Sequence, residues 1–472
     1  MSLRRPAAAV AADPAGDVTA PARFDAAWLK GRLCDMIGAL RARRLCVAYS
    51  GGLDSGALLS ALAQLRTRER FRLRAVHVDH GLQPQSARWA RAACARARAL
   101  RVPCRILELS IERSRGESLE ALARDARYRA LAAALAPDEL LLTAHHQEDQ
   151  LETVLLALLR GSGVRGLAAM SGVTPWERTL LLRPLLPVTR AQLEHYVRQR
   201  ALGWSEDPSN ADPRFDRNFL RVSVLPLIRQ RWPAAAATVS RSARHLAEAR
   251  RLLAQLAMTA LKDARDGAAV RVSVLRCLPL PQRRNAVQLW IAERGLPPPD
   301  HRRLQEICGP LLAARGDSVP KVNWRGAELR RHADRLFAYS VAAPRKQPAV
   351  EQWDWRAQPW LRLAGGGALG LVRDRHGDVH LPALPPQLSV RHRHGGERMQ
   401  GPQGRVVLKD LLQERGIAPW ERAVVPLIMH AGRIIAVADL WLDRSYGCPD
   451  AAPAERGRFR WRREACEFDD YD

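Results

Sequence analysis

The sequence predicts an α/β N-terminal body on a parallel sheet, then a mainly helical body, then a small α+β C-terminal unit. Three observations predict it. Four short apolar runs alternate with helix-length stretches near the start of the chain. That alternation stops after Met170, and a mostly helical, basic stretch runs from Ala234 to Ser340. From Leu388 onward, one helical stretch is followed by two strand-like runs. Short apolar strands separated by helices close into a parallel sheet through right-handed crossovers.

The elements follow in order. A helical stretch from Ala26 to Arg43 leads into strand-like runs at Leu45–Ser50, Leu73–Asp79, Cys104–Leu109 and Glu139–Thr143. Helical spacing fills the gaps at Asp54–Leu65, Ser86–Leu100 and Ser118–Leu135, and resumes at Gln147–Leu159. Thr189 and Gln192 have the Thr-x-x-Gln spacing of a capping box, opening a helix to Arg200. Pro233 suits the first turn of a long helix running to Ala264. Strands are expected around Val322–Tyr339, and a loose Gly/Pro-rich region from Ala342 to Pro386. The last unit holds a helix at Lys409–Arg415 and a hairpin, Pro426–His430 with Arg433–Leu440, turning at Ala431-Gly432. The expected division is a disordered tail (1–24), a catalytic body (25–232), a mainly helical body (233–345), a linker region (346–386) and a C-terminal body (387–472).

At 472 residues the chain exceeds one ordinary domain. Its 47% hydrophobic and 26% charged shares are globular values and exclude wholesale disorder. Lys+Arg number 75 against 49 Asp+Glu, a net charge of +26. Such a surface suits a polyanion, nucleic acid before anionic membrane. Only five lysines are present (Lys30, Lys262, Lys321, Lys346 and Lys409), so a coding bias toward Arg and Ala contributes to that charge. No run reaches the roughly 18 apolar residues of a membrane span. The eight cysteines are scattered with no CxxC pair, so neither a disulfide framework nor a cysteine zinc site is expected. The expectation is a cytoplasmic protein with reduced thiols.

The chemistry concentrates in a few motifs. Ser50, Gly51, Gly52, Leu53, Asp54 and Ser55 sit where the first strand turns into a helix. Two glycines let backbone N–H groups approach a phosphate, and the helix N-terminus and two hydroxyls add donors. The loop lacks the lysine of GxxxxGK[ST], so it is not the ordinary NTPase phosphate loop. His77-Val-Asp79-His80 ends the second strand, at the edge where ligands bind. In TAHHQEDQLET, His145, Asp149 and Glu152 stand four and three residues apart, a spacing that places them on one helix face. A transition-metal site is the rival reading, but HExxH is lacking. Gly161-Ser-Gly163-Val-Arg-Gly166 matches GxGxxG, yet it follows a helix and not a strand, which argues against a dinucleotide site.

SGGLDS after an apolar strand resembles the pyrophosphate-loop ATPase superfamily, whose members split ATP between the α and β phosphates. The whole series resembles one family within it, the tRNA(Ile)-lysidine synthetases. The matching pieces are SGGLDS, VHVDHGLQ, ESLEALARDARY, TAHHQEDQLET, RGSGVRGLAAM, RPLL, Asp207 through Arg221, RHRHGGERM and LKDLLQERGIAPWERAVVPLI. They span about Leu45 to Leu440, with weak stretches at 240–385.

The resemblance implies a Rossmann-like pyrophosphate-loop ATPase domain followed by two tRNA-binding domains. It implies adenylation of the C2 oxygen of the wobble cytidine in CAU-anticodon isoleucine tRNA. The ε-amine of free L-lysine then attacks C2 and expels AMP. By resemblance, Ser50 to Ser55 hold ATP and Asp54 and Asp149 meet Mg²⁺. Arg124 and His145 contact the nucleotide or the cytidine, and Asp149 and Glu152 lie near the lysine ammonium. Arg217, Arg221, Arg391 and Arg393 reach tRNA or the adenylate. One departure is Glu148, where the family usually carries Asp. The expected partners are this tRNA and lysine, with no membrane; a homodimer is left open. Two alternatives are a tRNA thiolation enzyme of the same superfamily, which needs a reactive cysteine, and a non-catalytic ATP-gated tRNA-binding protein.

Overall fold

The computed structural model describes residues 21–81, 83, 85–109, 119–205, 212–315, 319–340, 350–363, 367–401, 404–447 and 452–462. Most of the N-terminal tail, the Gly116–Ser118 and Asp207–Asn210 parts of the motif series, and Cys448 and Cys466 lie outside them. The chain divides into two compact units, 1–256 and 257–472.

The first unit is the expected wound sheet. Strands β1 (Arg44–Ala48), β2 (Arg72–Asp79), β3 (Cys104–Glu108), β4 (Glu139–Leu142), β5 (Val173–Trp176) and β6 (Thr179–Leu182) form one sheet in the order β3-β2-β1-β4-β6-β5. β1 pairs in parallel with both β2 and β4, so the strand order reverses at β1. A ligand crevice opens at such a switch point, beyond the carboxyl ends of the strands. The interior run Leu140–Leu142 is wholly buried, as a strand covered on both faces requires.

Helices α1 (Ala26–Ile37), α2 (Leu53–Glu69), α3 (Ser86–Ala99), α4 (Leu119–Ala134) and α5 (Gln147–Leu159) fall where the spacing predicts them. A short α6 (Val164–Leu167) follows. α7 (Arg190–Gln199) opens with the expected capping box, its Thr189 Oγ1 accepting from the Gln192 N–H at 3.3 Å. α8 (Asp216–Phe219) and α9 (Leu225–Arg231) follow, and α10 (Ala235–Ala264) begins in this unit and ends in the next. Phe24, Leu29, Leu58, Leu62, Val47 and Tyr196 share one core between α1, α2, α7 and the sheet.

Two expectations fail in this unit. The alternation does not stop at Met170: β6 pairs in parallel with β4, and β5 folds back antiparallel on it. A tight turn at Trp176–Thr179 replaces a crossover helix there, so the strand–helix rhythm breaks while the sheet continues. Cys94 and Cys104 are not separate thiols but are paired as a disulfide, their Cα atoms 5.3 Å apart. The turn between α3 and β3 folds one residue back beside the other, which no CxxC spacing announces.

In the second unit, helices at Val272–Cys277, Leu280–Glu293 and His301–Glu306 pack around the buried Trp290 and against a five-stranded sheet. That sheet contains the expected strands, Lys321–Trp324, Ala327–His332 and Arg335–Ser340. Arginines here serve the fold. The Arg283 guanidinium donates to four carbonyls, and Arg331 clips those of Leu312 and Ala314.

The 346–386 stretch, expected as a linker, carries strands at Glu351–Asp354, Trp360–Arg362 and Ala368–Arg373. The first pairs with Gln387–Arg391, the second with the third, and the third also with Arg456–Arg462. Gly370 and Gly377 mark close packing and not slack. A Cβ on Gly370 would lie 2.5 Å from the Trp360 ring, and one on Gly377 would meet the Gly457 carbonyl. The hairpin Leu427–His430/Arg433–Val437 turns at Ala431 and Gly432, both at positive φ, as a two-residue primed turn requires. The helix before it runs Leu408–Glu414.

Candidate active site

The site is built at the β1/β4 switch point from the turn after β1 and the turn after β4. Gly51 has φ +81°, and a Cβ there would lie 2.7 Å from that of Ala93, so only glycine lets α3 approach this closely. Gly52 caps α2, and its N–H donates to Ser50 Oγ at 3.2 Å. Ser50 Oγ and Ser55 Oγ stand 3.0 Å apart. Leu53 is buried in the core, anchoring the first turn of α2. Asp54 in that turn has one oxygen, Oδ1, buried with no hydrogen-bond partner. Its Oδ2 faces His146 Nε2 at 3.6 Å and Arg190 Nη1 at 3.5 Å.

The turn after β4 brings three carboxylates to this loop. Helix α5 begins at Gln147, two residues later than the His145–Asp149–Glu152 face assumed. His145 therefore lies in the turn, its Nδ1 2.9 Å from Thr143 Oγ1. Burial drives the His145 imidazole down to about 3, with Asp149 opposing and Arg183, Arg217 and Arg127 assisting, so the ring is neutral. The imidazole that faces the loop is that of His146. Its Nε2 is 3.6 Å from Asp149 Oδ2 as well as from Asp54, and its Nδ1 is 2.9 Å from Glu148 Oε2. Burial alone would lower its affinity for a proton, yet Asp149, Asp54 and Glu148 lift it to about 10. His146 is thus an imidazolium held among three carboxylates. The Asp149 carboxylate also accepts the His146 backbone N–H at 3.0 Å, closing the first turn of α5.

Glu148, whose role the motif left undecided, orients this arrangement. Its Oε2 accepts from His146 and from the backbone N–H of Arg190, the first residue of α7. Burial would raise the Glu148 carboxyl, but those contacts hold it below the ordinary carboxylate range.

Glu152 is fully buried and doubly engaged. Arg221 donates to both its oxygens at 2.8 and 2.9 Å, and Arg217 Nε lies 3.0 Å from Oε2. Arg221 also reaches Asp149 Oδ1 at 3.3 Å. Burial raises the Glu152 carboxyl, with the guanidiniums pulling the other way. Arg124 is exposed, its guanidinium carbon 5.4 Å from the Tyr128 ring centroid, beside Arg127 at 5.3 Å. Together Ser50–Ser55, Asp54, Asp149, Glu152, Arg217 and Arg221 converge, with His145 beside them.

Two residues expected to face RNA are engaged within their own turn. Arg391 Nη1 donates to Glu397 Oε1 at 3.1 Å, and Arg393 Nε to Oε2 at 3.4 Å, with both side chains under one-fifth exposed. The turn's backbone donates to the same carboxylate, from His394 and Gly395. A basic string reads as surface, but one buried acid drew these two guanidiniums inward. The sequence reading also passed over His146 and Arg190. An N-cap position ahead of an Asp three residues on was the available signal for His146; Arg190, brought in by α7, had none.

A glycine turn heading a helix, with carboxylates beside it at the switch point, defines a nucleotide-binding site of the pyrophosphate-loop class. Residues 28–228 match the PP-loop domain family. Residues 271–337 match the TilS substrate binding domain, and 388–461 the TilS substrate C-terminal domain. The tRNA(Ile)-lysidine synthase of Alkalilimnicola ehrlichii is 45% identical over 398 residues, covering 84% of this chain and 89% of its own. That of Methylococcus capsulatus is 38% identical over 417 residues, covering 86% and 93%. That of Coxiella burnetii is 37% identical over 396 residues, covering 83% and 88%. The chain belongs to the tRNA(Ile)-lysidine synthase family.

Proposed function

We infer that this chain is an ATP-dependent carbon–nitrogen ligase that forms lysidine at the wobble cytidine of CAU-anticodon isoleucine tRNA. The observation that carries the reading is the pyrophosphate loop at the β1/β4 switch point, in a chain with the family's three domains in order. The C2 oxygen of cytidine attacks the α-phosphorus of ATP and pyrophosphate leaves. The ε-amine of L-lysine then attacks C2, and AMP leaves with the oxygen.

The Gly52 N–H, the amino end of α2 and the Ser50 and Ser55 hydroxyls hold the departing pyrophosphate. Mg²⁺ fits beside Asp54, whose Oδ1 is buried and unpartnered. Among the described residues no group of three or more His, Cys, Asp or Glu side chains is arranged to hold a metal. One or two carboxylates suffice for an ion that arrives on phosphate oxygens. When bound, Mg²⁺ supplies charge neutralisation at the phosphates. Asp149 receives the lysine ammonium and takes its proton before attack. Glu152 holds Arg217 and Arg221 toward the adenylate, and the neutral His145 and Arg124 contact the nucleotide or cytidine.

Ligation is favoured over thiolation by the likeness to lysidine synthases along most of the chain, and two of the described cysteines are buried thiols. Burial pushes the Cys46 thiol up to about 12 and the Cys308 thiol up to about 11. A tRNA substrate and ATP place the reaction in the cytoplasm. No helix among the described residues is long and apolar enough to cross a membrane.

The test is purified protein with ATP, Mg²⁺, labelled lysine and a CAU-anticodon isoleucine tRNA transcript. Label in the RNA, with one AMP released per lysine, is expected. Sulfur incorporation from a persulfide donor without lysine transfer would overturn the reading. Sedimentation equilibrium of the same preparation tests for a homodimer.

A further inference from the structure

We propose that Arg96 is a positioning residue for the pyrophosphate loop, acting as a clamp on the carbonyl of Gly51 together with Ser205. The inference rests on the nucleotide-binding role of that loop.

The Gly51 carbonyl leaves the loop on the side facing α3 and the chain after α7. Two donors from different segments meet it there: the Ser205 backbone N–H at 3.0 Å and Arg96 Nη2 at 3.2 Å. The same Arg96 nitrogen donates to Ser205 Oγ at 2.8 Å, so each donor holds the other in place. In a trans peptide, the C=O of residue 51 and the N–H of residue 52 point in opposite directions. Pinning the carbonyl outward therefore aims the Gly52 N–H toward Ser50 Oγ, the hydroxyl that the proposed function sets against the pyrophosphate.

The clamp is needed because of the residues that make the loop. Gly51 has φ +81°, and glycine leaves the 51–52 peptide free to rotate between two turn conformations at little cost. The rotated form would present a carbonyl oxygen to the phosphates in place of an N–H, exchanging attraction for repulsion. Arg96 and Ser205 select the phosphate-binding orientation before ATP arrives. Because the contact is made to the outer edge of the loop, Arg96 acts through Gly51 and not on ATP.

The test measures the ATP dissociation constant of the full-length protein by equilibrium titration, without tRNA or lysine. Arg96→Met removes the donor and keeps the stem. It is expected to weaken ATP binding about tenfold or more, the effect of one charge-assisted hydrogen bond, with the melting temperature and the lysine KM unchanged. Arg96→Lys, which can reach one partner but not bridge both, should recover part of that loss. Ser205→Ala should weaken ATP binding less than Arg96→Met. The double variant should be no worse than Arg96→Met alone, because Ser205 Oγ acts through the guanidinium. Unchanged ATP affinity in Arg96→Met overturns the proposal. So do additive losses in the double variant, or a loss of affinity matched by a fall in melting temperature. Failure of wild-type protein to transfer lysine would count against the proposed function and leave the ATP titration interpretable.

Discussion

The turn at Ser50–Ser55 and the turn at Arg391–Gly396 both pair adjacent glycines with polar or charged neighbours, and both read as binding motifs. They differ in where their polar groups go. The first leaves Asp54 Oδ1 buried without a partner at the mouth of a helix. The second is satisfied internally, with Glu397 accepting from two guanidiniums and from the backbone N–H groups of His394 and Gly395. A site built for a ligand keeps polar atoms unmatched until the ligand comes. A turn built for the fold matches them at once.

Three substitutions can break or sharpen that contrast. The largest effect is expected at Asp54. Asp54→Asn keeps the volume and removes the charge, and AMP release should fall about 10²- to 10³-fold, as for loss of one preorganised electrostatic contact. The melting curve should stay in place; a matching loss of stability would make Asp54 a structural residue like Glu397.

Next comes Glu397→Gln, which leaves Arg391 and Arg393 without their acid. Losing one partner of a buried charged cluster should cost roughly 3 kcal/mol in urea unfolding, with ATP affinity unchanged. Burial would raise the Glu397 carboxyl, but the His394 N–H, Arg391 and the Gly395 N–H bring it from 4.5 down to about 2. The folded value lies below the unfolded one, so its contribution is complete above about 4.5 and is lost as pH falls toward 2. The variant should lack that part of the acid dependence. Weakened tRNA binding at unchanged stability would return this turn to the RNA-facing role.

The smallest effect is at Gly51. Gly51→Ala adds a side chain at φ +81° and 2.7 Å from Ala93 Cβ. The strain is on the order of 1 kcal/mol or more, and ATP affinity should fall about tenfold as the loop shifts. Unaltered affinity would mean that the loop's path does not set its grip.

Much of the first unit was legible because its signals are local. Leu45–Ser50 and Glu139–Thr143 are apolar runs of strand length, and Thr189 with Gln192 announces a helix start. β5 and β6 were missed because a tight turn, not a helix, joins them. The 346–386 stretch was read as a linker because its strand pairings and the packing of Gly370 on Trp360 have no local signature. In the site, Asp149 and Glu152 were found by helical spacing. His145 was chosen over His146 because that spacing was extended two residues ahead of the true start of α5.

By itself the sequence determined the parallel-sheet body, the pyrophosphate loop and the family, since each rests on residue types at short fixed spacings. Only the tertiary structure decided which charged groups remain open to a ligand. His146 became an imidazolium because the turn after β1 brings Asp54, from a distant segment, to an imidazole that the start of α5 already sets beside Glu148 and Asp149. Arg283 and Arg331 were committed to carbonyls 25 and 19 residues away by long-range folding, and Arg391 and Arg393 to Glu397 by the path of their own turn. A net charge of +26 counts all guanidiniums alike, whereas the fold separates those that hold the protein from those that can meet an anion.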